Sequence, residues 1–174
     1  MRGNDAVSNV VRFILLLFLQ VFLFRQISLG FGGRQQLFIF ITPLFIALLP
    51  LRTPKPLVVI FSFFIGLGID LFYDTLGVHA AAATFTGYVR QFMLLVLAPK
   101  DGYKVKASPD GKDLPQGWWL RYLGLVMVSY CLFYFSMEAF SPLFWKDIML
   151  KTLFTSPVSW FFCVIIVTFL RPRV

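Results

Sequence analysis

The sequence predicts an all-α integral membrane protein with six transmembrane helices. Hydrophobic residues make up 59% of the chain and charged residues only 14%, with a mean hydropathy of +0.80, whereas a soluble domain carries about 25% charged residues. The apolar residues gather in runs of near-spanning length. Because a span takes roughly 20 apolar residues, the 174 residues hold about six spans and no sizeable soluble domain. Lysine and arginine fall mainly in the short links between these runs.

Taken in order, the expected spans cover residues 10–24, 37–51, 57–73, 78–97, 118–137 and 153–170 of a single domain, 1–174. The first run is interrupted only by Arg12 and Gln20, and no small-residue cleavage site follows it, so it reads as a span rather than a secretory signal. Gly30, Gly32 and Gly33 mark a loop before span two. Within span two, Pro43 lacks a backbone donor and predicts a kink. Arg52 to Pro56, RTPKP, is a tight link into span three, and the chain turns again near Asp74 to Gly77.

The only long polar stretch is 98–117, with four lysines, three aspartates, three prolines and three glycines between Pro99 and Gly117. It has too few apolar residues for a core of its own and reads as an aqueous loop. Trp118, Trp119, Arg121 and Tyr122 open span five as an interfacial cluster. Residues 138–151 are mixed, with a weak pattern for a short interfacial helix around Trp145.

Orientation follows from the cations. With both termini cytoplasmic, the inner side holds Arg2, Arg12, Arg52, Lys55, Arg121, Arg171, Arg173 and the four lysines of the 98–117 loop. The outer side holds Arg25, Arg34, Lys146 and Lys151. That asymmetry satisfies the positive-inside rule and accounts for the net charge of +8 without nucleic acid. Cys131 and Cys163 lie inside apolar runs, which gives little support to a disulfide or a metal site. The 22 phenylalanines read as packing and lipid-facing bulk.

The stretch Ser62 to Arg90 concentrates the candidate chemistry, because Asp70 and Arg90 interrupt otherwise lipid-compatible segments. An ionisable group at that depth costs about 2.5–3.5 kcal/mol on insertion scales, so it faces protein or water. On span three, Ser62, Gly66, Asp70 and Tyr73 share a helical face, with Gly68 nearby; on span four, Ala80, Ala83, Gly87 and Arg90 form a matching face, with Gln91 beside it. Small residues on both faces predict close packing of the two helices.

At a rise of about 1.5 Å per residue, Asp70 sits about 7 Å outside the midplane and Arg90 about 3 Å inside it, so a direct bridge requires tilt. Two readings stand for these charges: structural pins satisfied by neighbouring helices, or the lining of a polar cavity or partner groove. Asp74 and His79 flank the outer turn, as a helix cap and an interfacial hydrogen-bonding group respectively, or as part of that cavity. The chain has one histidine, no H-E-x-x-H, no P-loop, no G-x-S-x-G and no carboxylate cluster at metal-ligand spacing. It is expected to be non-enzymatic, with no cofactor and no metal.

The segment GLGIDLFYDTLGVHAAA at Gly66 to Ala83, Arg90 beyond the histidine, and PKDGY at Pro99 to Tyr103 together resemble the rod shape-determining MreD family of bacteria. The resemblance implies a subunit of the cell-elongation machinery in the bacterial inner membrane. It implies MreC, MreB and peptidoglycan-synthesising membrane enzymes as partners, and a six-helix fold similar to the S components of energy-coupling-factor transporters. Asp70, Gly77 and His79 match the family's aspartate, glycine and histidine by position. No catalytic residues come with it. A small-molecule-binding transporter subunit, with an outward cavity near Asp70, Asp74 and His79 closed by the glycine loop, is the alternative expectation.

Overall fold

A computed structural model of the protein describes residues 3–24, 29–31, 35–100, 102–103, 114 and 117–170. Most of the expected 98–117 loop, with Lys104, Lys106 and Lys112, lies outside the described residues, as do Arg25, Arg34, Arg171 and Arg173. The elements are α1 (Gly3–Phe18), passing into a π-helical turn (Leu19–Phe24); β1 (Leu29–Phe31) and β2 (Gln35–Leu37); α2 (Thr42–Leu48); α3 (Lys55–Tyr73); α4 (Val78–Val96); α5 (Trp118–Ala139); a 3₁₀ turn (Pro142–Phe144); and α6 (Trp145–Leu170).

Among the described residues the regular structure is helical apart from a short antiparallel hairpin, in which Leu29 pairs with Leu37 and Phe31 with Gln35. This hairpin stands where the glycines predicted only a loop. Three helices, α3, α5 and α6, are long and apolar enough to cross a membrane, and α1 holds a shorter apolar stretch, Val10–Phe24. The protein is therefore a membrane protein with at least these three candidate spans among its described residues.

The second apolar run departs most from expectation. The sequence predicts a compact span over 37–51, kinked at Pro43, but residues 38–41 are non-helical and the helix covers only Thr42–Leu48. Proline explains the boundary. It has no N–H to give, so Pro43 is accommodated in the first turn, where N–H groups lack intrahelical acceptors. Seven residues rise only about 10 Å, too little to cross a hydrocarbon core. All seven are buried, and α2 packs against α1, α3, α4 and α5 as an enclosed central peg.

The last helix also differs: it begins at Trp145 rather than near 153, absorbing the interfacial segment into one 26-residue helix with Pro157 in its interior. At about 1.5 Å per residue it is longer than a perpendicular span requires. Its mixed first turns carry Lys146, Asp147 and Lys151, and Lys151 pairs with Glu138 at 3.1 Å.

Helices α3 and α4 form the tightest hairpin. A Cβ placed on Gly66 would lie 2.5 Å from the Ala80 Cα and the His79 carbonyl oxygen, so backbone meets backbone there. One on Gly87 would lie 2.5 Å from Ser62 Oγ. The opposite face of α3 carries exposed Phe61, Phe64 and Leu71, with Leu71 74% exposed, which is the expected character of a surface facing lipid tails rather than water.

The two glycines of the Gly66-Leu67-Gly68 triplet should therefore behave differently on substitution. Gly66→Ala forces two backbones apart and is expected to cost about 1–3 kcal/mol, read as a lowered midpoint of unfolding in mild detergent. Gly68→Ala meets only Leu17 Cδ1 at 2.6 Å, a flexible side-chain tip, and should cost clearly less.

Candidate functional site

Asp70 lies in the last turn of α3, 5% exposed. Its Oδ1 accepts the His79 amide at 3.0 Å and the Thr75 hydroxyl, and its Oδ2 accepts the Ala80 amide at 2.8 Å. The chain makes this possible by turning sharply. Asp74, at the C-terminal end of α3, has φ 55, and Gly77, before α4, has φ 84, and these left-handed conformations fold the first turn of α4 back over the end of α3.

Gly77 is the N-cap of α4 and brings no side-chain cap. Asp70 serves instead, taking the two amides that a capping side chain normally takes. A carboxylate here also meets the positive end of the α4 dipole. Each charge-assisted hydrogen bond of this kind is worth about 1.5–3 kcal/mol, enough together to offset placing the charge in the bundle.

His79 is fully buried and sits among aromatic rings: Tyr134 at 4.7 Å between centroids, Tyr73 at 5.1 Å and Phe40 at 5.6 Å. Its Nδ1 lies 2.7 Å from the Tyr130 hydroxyl. Its Nε2 is buried without a hydrogen-bond partner. The ring is thus held inside the bundle, with a hydrogen-bonding partner on α5.

Arg90 is placed at the other end of α4, 2% exposed. Its Nε donates to the Tyr122 hydroxyl at 2.7 Å, and its Nη2 donates to the carbonyls of Leu49 at 2.5 Å and Pro50 at 3.2 Å. These carbonyls follow α2, where a cation complements the helix dipole. Asp70 and Arg90 share no partner. Each charge is met by backbone dipoles at a helix end of opposite sign.

The remaining candidates separate. Ser62, Gly66, Ala80, Ala83 and Gly87 are buried, and contacts across the α3/α4 seam join Gly66 to Ala80 and Gly87 to Ser62. Gly68 faces α1. Asp74 is exposed as the C-cap of α3, and Gln91 is exposed beside Arg90, so Gln91 is not in the polar core: one residue on from Arg90, it turns about a quarter circle away from the interior. In the expected interfacial cluster of α5, Trp118 and Tyr122 are buried and only Arg121 and part of Trp119 reach the surface. Trp118 Nε1 donates to the Leu97 carbonyl at 2.7 Å, and Tyr103 to that of Leu94 at 2.6 Å, closing the end of α4. Burial pushes the Tyr103 phenol above its ordinary value, which keeps it a donor.

A third polar cluster escaped the sequence reading. Residues 38–41 run without helical bonding through the core, and their backbone is satisfied by side chains from both ends of the chain. Gln20 accepts the Ile41 amide at 2.7 Å and donates to the Ile39 carbonyl at 3.1 Å. Ser159 Oγ accepts the Phe40 amide at 2.9 Å, and Cys163 Sγ approaches the Phe40 carbonyl at 3.7 Å. Gln20 lies in the π-helical turn and also meets Tyr73. Its interruption of an apolar run was the signal available; Ser159 gave none.

Two substitutions separate these roles. Asp70→Ala strands two amides and a hydroxyl and should lower stability by about 3 kcal/mol or more, at about 1–3 kcal/mol for each buried group left unpaired. Tyr122→Phe removes a single acceptor from Arg90 and should cost about 1–2 kcal/mol. Both are read by unfolding in detergent, and a larger loss for Tyr122→Phe would reverse the ranking. No family model matches the chain, nor does any curated protein or solved structure.

Proposed function

We propose that the chain is a non-enzymatic membrane scaffold subunit of the bacterial cell-elongation machinery, of MreD type, which holds MreC in the inner membrane and supports peptidoglycan synthesis and rod shape. The name rests on the resemblance of Gly66 to Ala83, Arg90 and Pro99 to Tyr103 to that family. The observation that carries the scaffold role is the use made of the buried charges. Asp70 binds the start of α4 and Arg90 binds the end of α2, so both serve the frame rather than an open site. The surfaces left for partners are then the apolar outer faces of the helices and the links between them.

MreB and the peptidoglycan-synthesising enzymes are further partners in this reading, and the basic end, with both termini, is cytoplasmic. A small-molecule-binding transporter subunit of the energy-coupling-factor type is the second reading. It is favoured by a cleft of about 460 Å³ between the end of α5 and the start of α6, lined by Met137, Phe140, Trp145, Ile148 and Met149 among others. That volume is within the usual range for ligand pockets, about 300–1,000 Å³, although the cleft is lined by neither Asp70 nor His79.

Affinity capture of the tagged protein from its native membrane in mild detergent, with mass spectrometry of proteins and small molecules, tests the choice. Recovery of an MreC-like protein with peptidoglycan enzymes is the expected result. A stoichiometric small molecule or transporter ATPases in their place would overturn it. In the same cells, Asp70→Ala is expected to lose thermal stability and partner recovery together. Loss of the partner with unchanged stability would place Asp70 in an interface instead.

A further inference from the structure

The cleft of about 460 Å³ at the α5/α6 hairpin end brings Met137 and Phe140 of one helix end against Trp145, Ile148 and Met149 of the next helix. Among the described residues no charged side chain lines it. Of its two hydroxyls, Ser136 Oγ donates to the Leu132 carbonyl at 2.6 Å, and Ser141 Oγ receives the Leu143 amide at 3.4 Å. A polar small molecule would find little there to orient it. Aromatic rings and two flexible thioethers instead adapt readily to apolar side chains.

Phe140 gives the wall of this cleft an unusual backbone. It is the C-cap of α5, with φ 44 and ψ 23, and its amide donates to the Ser136 carbonyl at 3.1 Å. Glycine takes up this left-handed conformation freely, whereas a bulky side chain is strained in it. Packing within the chain does not offset that strain, because Phe140 is 87% exposed. A strained residue whose ring serves nothing inside the fold points to a use outside it.

Depth selects the occupant. Adjacent residues of a helix differ in facing but share a level, and Lys146 and Asp147 are both exposed in the first turn of α6, beside Trp145. Exposed charges put that turn at the headgroup level or above, outside the hydrocarbon that acyl tails fill. Leu143 is 87% exposed in the turn between the helices, so the cleft opens amid apolar surface that lipid tails do not reach. A groove between two antiparallel helices at that level fits the apolar face of a third helix.

We propose that the α5/α6 cleft receives the apolar side chains of a helix of the MreC-like partner just outside the membrane, with Phe140, Trp145 and Met149 as the contact residues. The assignment rests on the scaffold reading and adds to it the surface by which the partner is held.

The test repeats the affinity capture with variants of the full chain, each checked for its midpoint of thermal unfolding. Phe140→Gly relieves the backbone and should leave that midpoint unchanged or raise it. It should also lower recovery of the MreC-like protein by roughly tenfold or more, as expected for an aromatic anchor at the centre of an interface. Met149→Trp fills the cleft and should lower recovery similarly, while Leu71→Trp on the lipid face of α3 should leave it as it was. A photocrosslinker at Phe140 should join a helical segment of the MreC-like protein. Full recovery with both cleft variants, a fall in stability of Phe140→Gly that accompanies its loss of recovery, or adducts to lipid alone would overturn the cleft assignment and leave the scaffold reading standing. If the unsubstituted chain brings down no MreC-like protein, the scaffold reading fails and takes this proposal with it.

Discussion

The carboxylate of Asp70, accepting the amides of His79 and Ala80, is the contact on which the rest of the bundle depends. It fixes where α4 begins relative to where α3 ends. With that register set, Gly66 meets Ala80 at backbone distance and the two helices lie flush along their small-residue faces. The same register carries His79 inward to Tyr130 and Arg90 inward to Tyr122, which lie on the same side of α5. One capping interaction thereby orients α4 against both α3 and α5.

The two buried charges illustrate how ions are housed at membrane depth without pairing. A direct Asp70–Arg90 bridge would have joined the two helices of a single hairpin and left the carbonyls at the end of α2 without the Arg90 guanidinium. Separation gives each ion a helix terminus, where unsatisfied backbone groups of the right polarity are already present. The chain thereby satisfies two sets of orphaned backbone groups with two side chains. It also ties a peg too short to span, α2, to the longer helix α4.

Much of the hairpin was legible because it follows simple periodicity. Four-residue steps of Ser62, Gly66 and Asp70, set against Ala80, Ala83 and Gly87, predict a close seam whatever surrounds it. Helix boundaries flanked by Pro54, Gly77 and Gly117 were equally plain. Less legible was anything determined by partners distant in sequence. The segment 37–51 has the composition of a span, and its break at 38–41 exists because Gln20 and Ser159 supply hydrogen bonds that no local pattern announces. Gln91, polar and next to Arg90, is separated from it by the angular step between adjacent helical residues. Tyr122 read as interfacial from its neighbours, yet the partner that draws it inward, Arg90, is 32 residues away.

The reliance of residues 38–41 on both chain ends has a consequence for biosynthesis. The Phe40 amide is 119 residues ahead of the serine that satisfies it, an interval of roughly 6–24 s at translation rates of about 5–20 residues per second. Throughout that time the Phe40 amide lacks its acceptor, and an unpaired amide has no tolerable position in hydrocarbon. It must wait in water, in the insertion channel or against α1. The middle of the bundle gains this last backbone partner only when α6 arrives, so a ribosome stalled before Ser159 would leave the Phe40 amide without it.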